Sequence, residues 1–134
     1  MKKIISYLLI LVIAAQMLAT VAFAATSTKY TAALTFQGEH TGPVREYTGT
    51  TMHWYGTTYE EDRHPESPTT FAVYLYKKGF WSSPLVGEAR QCIRSAYNSE
   101  WWYNIGSGKY FFSYVKARDG ATVNSDCITM EMTS

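Results

Sequence analysis

Wherever the chain beyond residue 24 is periodic, the period is two. Tyr30, Ala32, Leu34 and Phe36 alternate with Thr31, Ala33 and Thr35, and Phe71, Val73 and Leu75 alternate with Ala72, Tyr74 and Tyr76. That spacing puts one set of side chains on each face of a strand. Between Tyr47 and Tyr59 the residues are mostly Thr, Tyr and Trp, which favour pleated structure. Met52 and Trp54 fall on one face there, and His53, Tyr55, Thr57 and Tyr59 on the other. The segments are short, and Gly42-Pro43 and Lys77-Lys78-Gly79 punctuate them. Tyr110 to Arg118 reads as a further strand; Asp119-Gly120 signals a hairpin, with Thr122 to Met130 pairing back as the last strand. Glu60 to Thr70, Phe80 to Pro84 and Trp101 to Gly108 read as connections.

Residues 85–97 fit two patterns. Ala89, Cys92, Ile93, Ala96 and Tyr97 match helical spacing, but Gly87 would sit in the first turn at a cost of about 1 kcal/mol relative to Ala. The strand reading, with Leu85, Ile93 and Tyr97 on one face, is favoured. The expected fold is all-β: a small antiparallel β-sandwich, immunoglobulin-like or jelly-roll-like, of about six to eight strands. The approach Ser107-Gly108-Lys109-Tyr110 into an apolar strand loosely resembles the late strand of immunoglobulin-like sandwiches. Cysteine placement and tyrosine-to-cysteine spacing depart from that family, so no site is carried over.

The first 24 residues have a different character. Lys2 and Lys3 precede an apolar stretch from Ile4 to Leu18, and Ala22-Phe23-Ala24 closes it. A basic start, an apolar middle and an A-x-A exit are the parts of a secretory signal peptide of bacterial type. The expected domains are a signal peptide, 1–24, and a secreted extracellular domain, 25–134, without a stable membrane anchor and monomeric. Removing Lys2 and Lys3 takes Lys+Arg from 12 to 10 against 11 Asp+Glu, a net charge of −1. Nucleic-acid binding, which needs clustered Lys and Arg, is therefore not expected.

Cys92 and Cys127 are the two cysteines. In an oxidising compartment an even pair points to one disulfide, worth about 4 kcal/mol on the chain-entropy model for a loop of this length. No second Cys or His lies at ligand spacing from either, and the three histidines, His40, His53 and His64, are irregularly spaced. No metal and no cofactor are expected. No nucleophile elbow or metalloprotease helix is present, and the many carboxylates single out no catalytic pair.

Aromatic residues carry the functional signal. Nineteen of the 110 residues after Ala24 are Phe, Trp or Tyr. Trp101, Trp102 and Tyr103 are consecutive, and a strand cannot bury all three on one side. Phe80 and Trp81 follow a Lys-Lys-Gly turn. These five residues are the expected binding surface, since rings in loops stack on sugars or pack into proteins. The expected function is a non-catalytic binding module for a glycan, cell-wall, cell-surface or protein ligand. Two alternatives are a secreted antimicrobial or toxin-like protein whose aromatics enter lipid, and a small extracellular hydrolase.

Overall fold

A computed structural model describes residues 27–134; the signal-peptide reading lies outside the described residues. Ten strands and no helix make up the described chain: β1 (Ser27–Phe36), β2 (Glu39–Thr41), β3 (Arg45–Tyr47), β4 (Thr51–Thr57), β5 (Tyr59–Glu61), β6 (Thr70–Lys77), β7 (Arg90–Ile93), β8 (Tyr97–Trp102), β9 (Gly108–Val115) and β10 (Thr122–Thr133). They form two five-stranded antiparallel sheets. The first runs β1-β10-β4-β8, with β5 also on β10, and the second runs β2-β9-β6-β7, with β3 also on β9. The protein is a small β-sandwich, as the alternation implies.

Two pairs of short strands are each one strand interrupted. β4 and β5 lie end to end along β10 and part at Thr58. β2 and β3 lie end to end along β9 and part at Gly42-Pro43-Val44. Pro43 therefore breaks an edge strand rather than reversing the chain, which is where a residue without an N–H is tolerated. Counted this way, each sheet has four strand positions.

Between the sheets lies one aromatic-rich core. Phe36, Tyr47, Trp54, Phe71, Trp102, Tyr110, Phe112 and Tyr114 are buried there with Leu34, Met52, Val73, Leu75, Val123, Ile128 and Met132. The Trp54 indole N–H crosses from the first sheet to donate to the Tyr114 hydroxyl at 3.0 Å. Burial pushes the Tyr114 hydroxyl well above its ordinary pKa, which keeps it a neutral hydrogen-bonding group.

Three expectations are corrected. The segment after Asp119-Gly120 does not pair back on the strand before it: β9 belongs to the second sheet and β10 to the first. The loop between them crosses one end of the sandwich, and Asp119 is engaged there in a buried ion cluster. Its carboxylate accepts from Lys116 Nζ at 2.7 Å and from Arg94 at 2.6 Å, while Arg94 also meets Glu60 at 2.9 Å. Lys116, followed by Arg94, holds the Asp119 carboxyl far below the usual range. Arg94 additionally donates to the Thr70 carbonyl at 2.9 Å, so the cluster ties β5, β6, the β7–β8 turn and the crossing loop together.

The second correction concerns Trp101 and Trp102, which stand on β8 rather than in a loop. Residues 85–97 contain no helix; a turn at 94–96 carries the chain from β7, at the edge of the second sheet, to β8, at the edge of the first, and is pinned by the Asn98 side chain, which accepts from Ile93 N at 2.8 Å and donates to Ile93 O at 2.8 Å. The strand reading holds for Arg90–Ile93 and from Tyr97 on, but not as one strand: Leu85 makes only an isolated bridge to Tyr76, and Ile93 and Tyr97 are exposed on different sheets rather than on one face.

Third, Cys92 and Cys127 are not joined; both thiols are free. Cys92 faces the core from β7, and burial pushes its thiol up to about 12. Cys127 lies on β10 in the opposite sheet and faces solvent. Alternation from the inward Ile128, Met130 and Met132 turns Cys127 outward, and a bulge puts Asp126 beside it. Ala32 pairs with Ile128 but Leu34 pairs with Ser125, so Asp126 and Cys127 together oppose Ala33. Two residues against one sends both side chains outward.

Candidate functional site

The eight buried core rings leave eleven of the nineteen aromatics on outer faces, at edges or in loops. The outer face of the first sheet gathers the largest set. In strand register His53 of β4 sits between Glu131 of β10 and Trp101 of β8, and Tyr55 sits between Thr129 and Ser99. The His53 and Trp101 rings are stacked 3.6 Å apart with 8° between planes. Tyr55 lies against the other side of His53 at 4.3 Å, and Tyr103 is parallel to Trp101 at 6.1 Å. The result is a row, Tyr103–Trp101–His53–Tyr55, running across and along the sheet. His53 Nε2 hydrogen-bonds with Ser99 Oγ at 2.8 Å. Partial burial among these rings lowers the His53 pKa, against the opposing pull of Glu131.

Alternation along β8 explains why Trp101 and its neighbour differ. Trp102 turns inward and is 2% exposed, while Trp101 is 38% and Tyr103 64% exposed. Trp102 packs edge-on against Phe112 at 5.8 Å, and the Arg90 guanidinium lies 5.2 Å from its ring centroid. Arg90 also donates to the Trp101 carbonyl at 2.9 Å. One arginine therefore closes the sandwich edge and fixes the strand from which Trp101 projects.

At Tyr55 the row opens into a groove of about 400 Å³ lined by Tyr55, Gly56, Thr57, Tyr59, Tyr97, Asp126, Cys127 and Thr129. The groove lies where β10 bulges and where β4 gives way to β5. The Tyr59 hydroxyl donates to Asp126 Oδ1 at 3.3 Å, and the Asp126 charge pushes the Tyr59 pKa up. Gly56 permits the close approach beneath: a Cβ there would come within 2.6 Å of Ile128 Cδ1 and 2.8 Å of the Cys127 carbonyl oxygen.

Of the five residues expected to bind, Trp101 and Tyr103 belong to this face, Trp102 belongs to the core, and Phe80 and Trp81 form a separate tip on the β6–β7 connection. His53, Tyr55, Tyr59, Tyr97 and Asp126 were missed. Their outward parity was legible for His53, Tyr55 and Tyr59; the register that lays β8 beside β4 was not. A second outer row, Tyr74–Tyr76–Phe111, stacks on the opposite sheet at 6.3 and 5.2 Å as neighbouring and cross-strand pairs.

Among the described residues no three His, Cys, Asp or Glu side chains lie together in a way that could hold a metal. His40 stacks on Tyr114 from β2, His53 is in the ring row, and His64 lies near Gly120. No helix among the described residues is long and apolar enough to cross a membrane.

No protein-family model matches the chain, and no curated protein matches it. Among solved structures, PliG of Aeromonas hydrophila, a periplasmic inhibitor of g-type lysozyme, aligns over 83% of this chain and 89% of its own at a TM-score of 0.41 and 9% identity.

Proposed function

We propose that this chain is a secreted, non-catalytic module that binds a protein partner through the outer face of its first sheet. The observation that carries the reading is the continuous row Tyr103–Trp101–His53–Tyr55 leading into the Tyr-lined groove. Its composition is that of a recognition surface. Tyr and Trp supply rigid contact area at low entropic cost, and Ser99, Thr57 and Thr129 supply adaptable hydrogen bonds. The stacking also bears on the ligand. One face of Trp101 is covered by His53, so the row offers ring edges, hydroxyls and an indole N–H rather than an open platform. Protein interfaces use such edges. The basic start and A-x-A exit of residues 1–24 support export.

A glycan is the second reading. The groove is of ligand size, and Tyr59, Tyr97 and Asp126 together offer rings and an acceptor for sugar hydroxyls.

The test compares wild type with a Tyr55→Ser, Trp101→Ala, Tyr103→Ser variant of unchanged fold. Both are used as bait against secreted and periplasmic proteins and on glycan arrays. A retained protein, once purified, should bind wild type directly and the variant about tenfold or more weakly, as loss of interface anchors worth over 1 kcal/mol implies. Equal binding by both would sink the assignment. A difference confined to glycans would establish the second reading instead.

A further inference from the structure

The Phe80–Trp81 tip is separate from the ring face, and its chemistry differs. Phe80 is 89% and Trp81 93% exposed, and the two rings meet each other edge-on at 4.7 Å. Leaving two large rings in water is costly, at about 25 cal/mol per Å² of apolar surface. The tip is also held firmly at its base. Lys78 N donates to the Lys109 carbonyl at 2.7 Å, Lys77 N to the Pro84 carbonyl at 3.1 Å and Val86 N to the Leu75 carbonyl at 2.8 Å. A Cβ at Gly79 would collide with the Ser82 carbonyl oxygen, so the turn that projects the rings is tight. The rings are thus displayed on a braced turn.

Lysines surround that base. Lys77, Lys78 and Lys109 are all exposed, and among the described residues none of them is in an ion pair. Lys77 Nζ sits 5.5 Å from the Tyr110 ring centroid, and Glu46 faces Lys109 across the β3–β9 ladder. The buried ion cluster of Asp119 lies at the other end of the sandwich. A near-neutral domain therefore has a basic, ring-tipped pole.

We propose that this pole docks reversibly on an anionic lipid surface, with Phe80 and Trp81 entering the headgroup region and Lys77, Lys78 and Lys109 meeting lipid phosphates. Aromatic rings, Trp above all, settle at the membrane–water interface. Lysines near an anionic surface add attraction, and a ring pair plus basic residues makes two weak signals that act together. Charge complementarity selects the occupant, and shape favours lipid over an acidic protein. A projecting pair of rings needs surroundings on every side, which a fluid interface supplies without a matched cavity. The lysines stand behind the rings, at the depth where headgroups would lie.

The experiment uses the full chain with vesicles of POPC alone, POPC with POPG, and the same mixtures carrying brominated acyl chains. All four tryptophans lie in the sandwich domain, so quenching of indole emission reports on it and not on residues 1–24. The difference between wild type and Trp81→Phe isolates Trp81. Quenching of Trp81 should appear with POPG vesicles, weaken with salt and be absent with POPC. Lys78→Gln with Lys109→Gln should lower the POPG affinity read by Trp81 by about fivefold for each lysine removed. Phe80→Ser, which keeps Trp81 as reporter and is folded as judged by an unchanged melting curve, should weaken the POPG-dependent quenching of Trp81 several-fold; unchanged quenching would count against entry of the ring pair. The proposal is overturned if POPG and POPC quench alike, if Trp81→Phe leaves the signal unchanged, or if Trp81 is shielded only by an added acidic protein and never by vesicles.

Discussion

The His53 imidazole and the Trp101 indole lie face to face at 3.6 Å, on adjacent strands of the first sheet. The contact covers one side of each ring and makes the neutral imidazole the favoured form, because burial lowers the His53 pKa. The stability this contributes is complete above the unfolded value of about 6.5 and is lost as pH falls through the folded one. NMR titration of the His53 ring protons should show a midpoint below 6.5, and Trp101→Ala should move it back upward. A midpoint at or above 6.5 in wild type would mean that the pull of Glu131 outweighs burial.

Trp101 and Trp102 are sequence neighbours with opposite structural roles. Trp102→Ala should cost about 3–5 kcal/mol, the range for deleting a large buried ring. Trp101→Ala should change stability by about 1 kcal/mol or less, as for a surface site. Urea unfolding of the two variants side by side decides the matter; similar losses would mean that the alternation along β8 is wrong.

Removing the Asp119 charge leaves buried Lys116 without a carboxylate and Arg94 with Glu60 alone. Asp119→Asn should destabilise by about 3–5 kcal/mol, the cost of breaking a buried ion pair from one side. The pH dependence has a definite sign. Because the folded pKa of Asp119 is depressed, its contribution is full above the unfolded value of about 3.9 and fades as pH falls through the folded one. Wild type should therefore lose its advantage over the variant in strong acid, measured as the urea midpoint at neutral pH and again near pH 2. An advantage that persists unchanged in acid would count against the cluster.

The thiols should behave independently. Cys127 is exposed and should react with iodoacetamide in the folded protein, whereas Cys92, buried and with its thiol pushed up to about 12, should react only on unfolding. Mass spectrometry after labelling under each condition reads this directly, and dithiothreitol should leave the melting temperature unchanged. A native protein that takes up no label, but two labels after reduction, would restore the sulfur bridge.

Much of the fold was legible because strands here obey one rule. The inward set Phe71, Val73, Leu75 and the outward set Ala72, Tyr74, Tyr76 follow from alternation alone, as do Met52 and Trp54 against His53 and Tyr55. Pairing was not legible in the same way. Asp119-Gly120 has the composition of a hairpin turn, and only the three-dimensional meeting of Lys116, Arg94 and Glu60 shows why the carboxylate is used elsewhere. The bulge at Asp126-Cys127 was equally hidden, since nothing in a stretch of Asn, Ser, Asp and Cys announces which residue is surplus. That one local irregularity shaped the groove, whereas strand order put the cysteines on different sheets and alternation from Ile128 turned Cys127 outward. Aromatic excess pointed to a surface, but which rings share it depended on strand order.

The bulge also keeps the two halves of the last strand in one phase against β1. Val123 opposite Phe36 and Ile128 opposite Ala32 both face the interior, although five positions separate them and plain alternation would send them to opposite faces. Asp126-Cys127 absorbs the surplus position. Deleting either residue would leave Val123 and Ile128 four positions apart, so a single missing codon here would be tolerated by the interior and would cost the protein one wall of its groove instead.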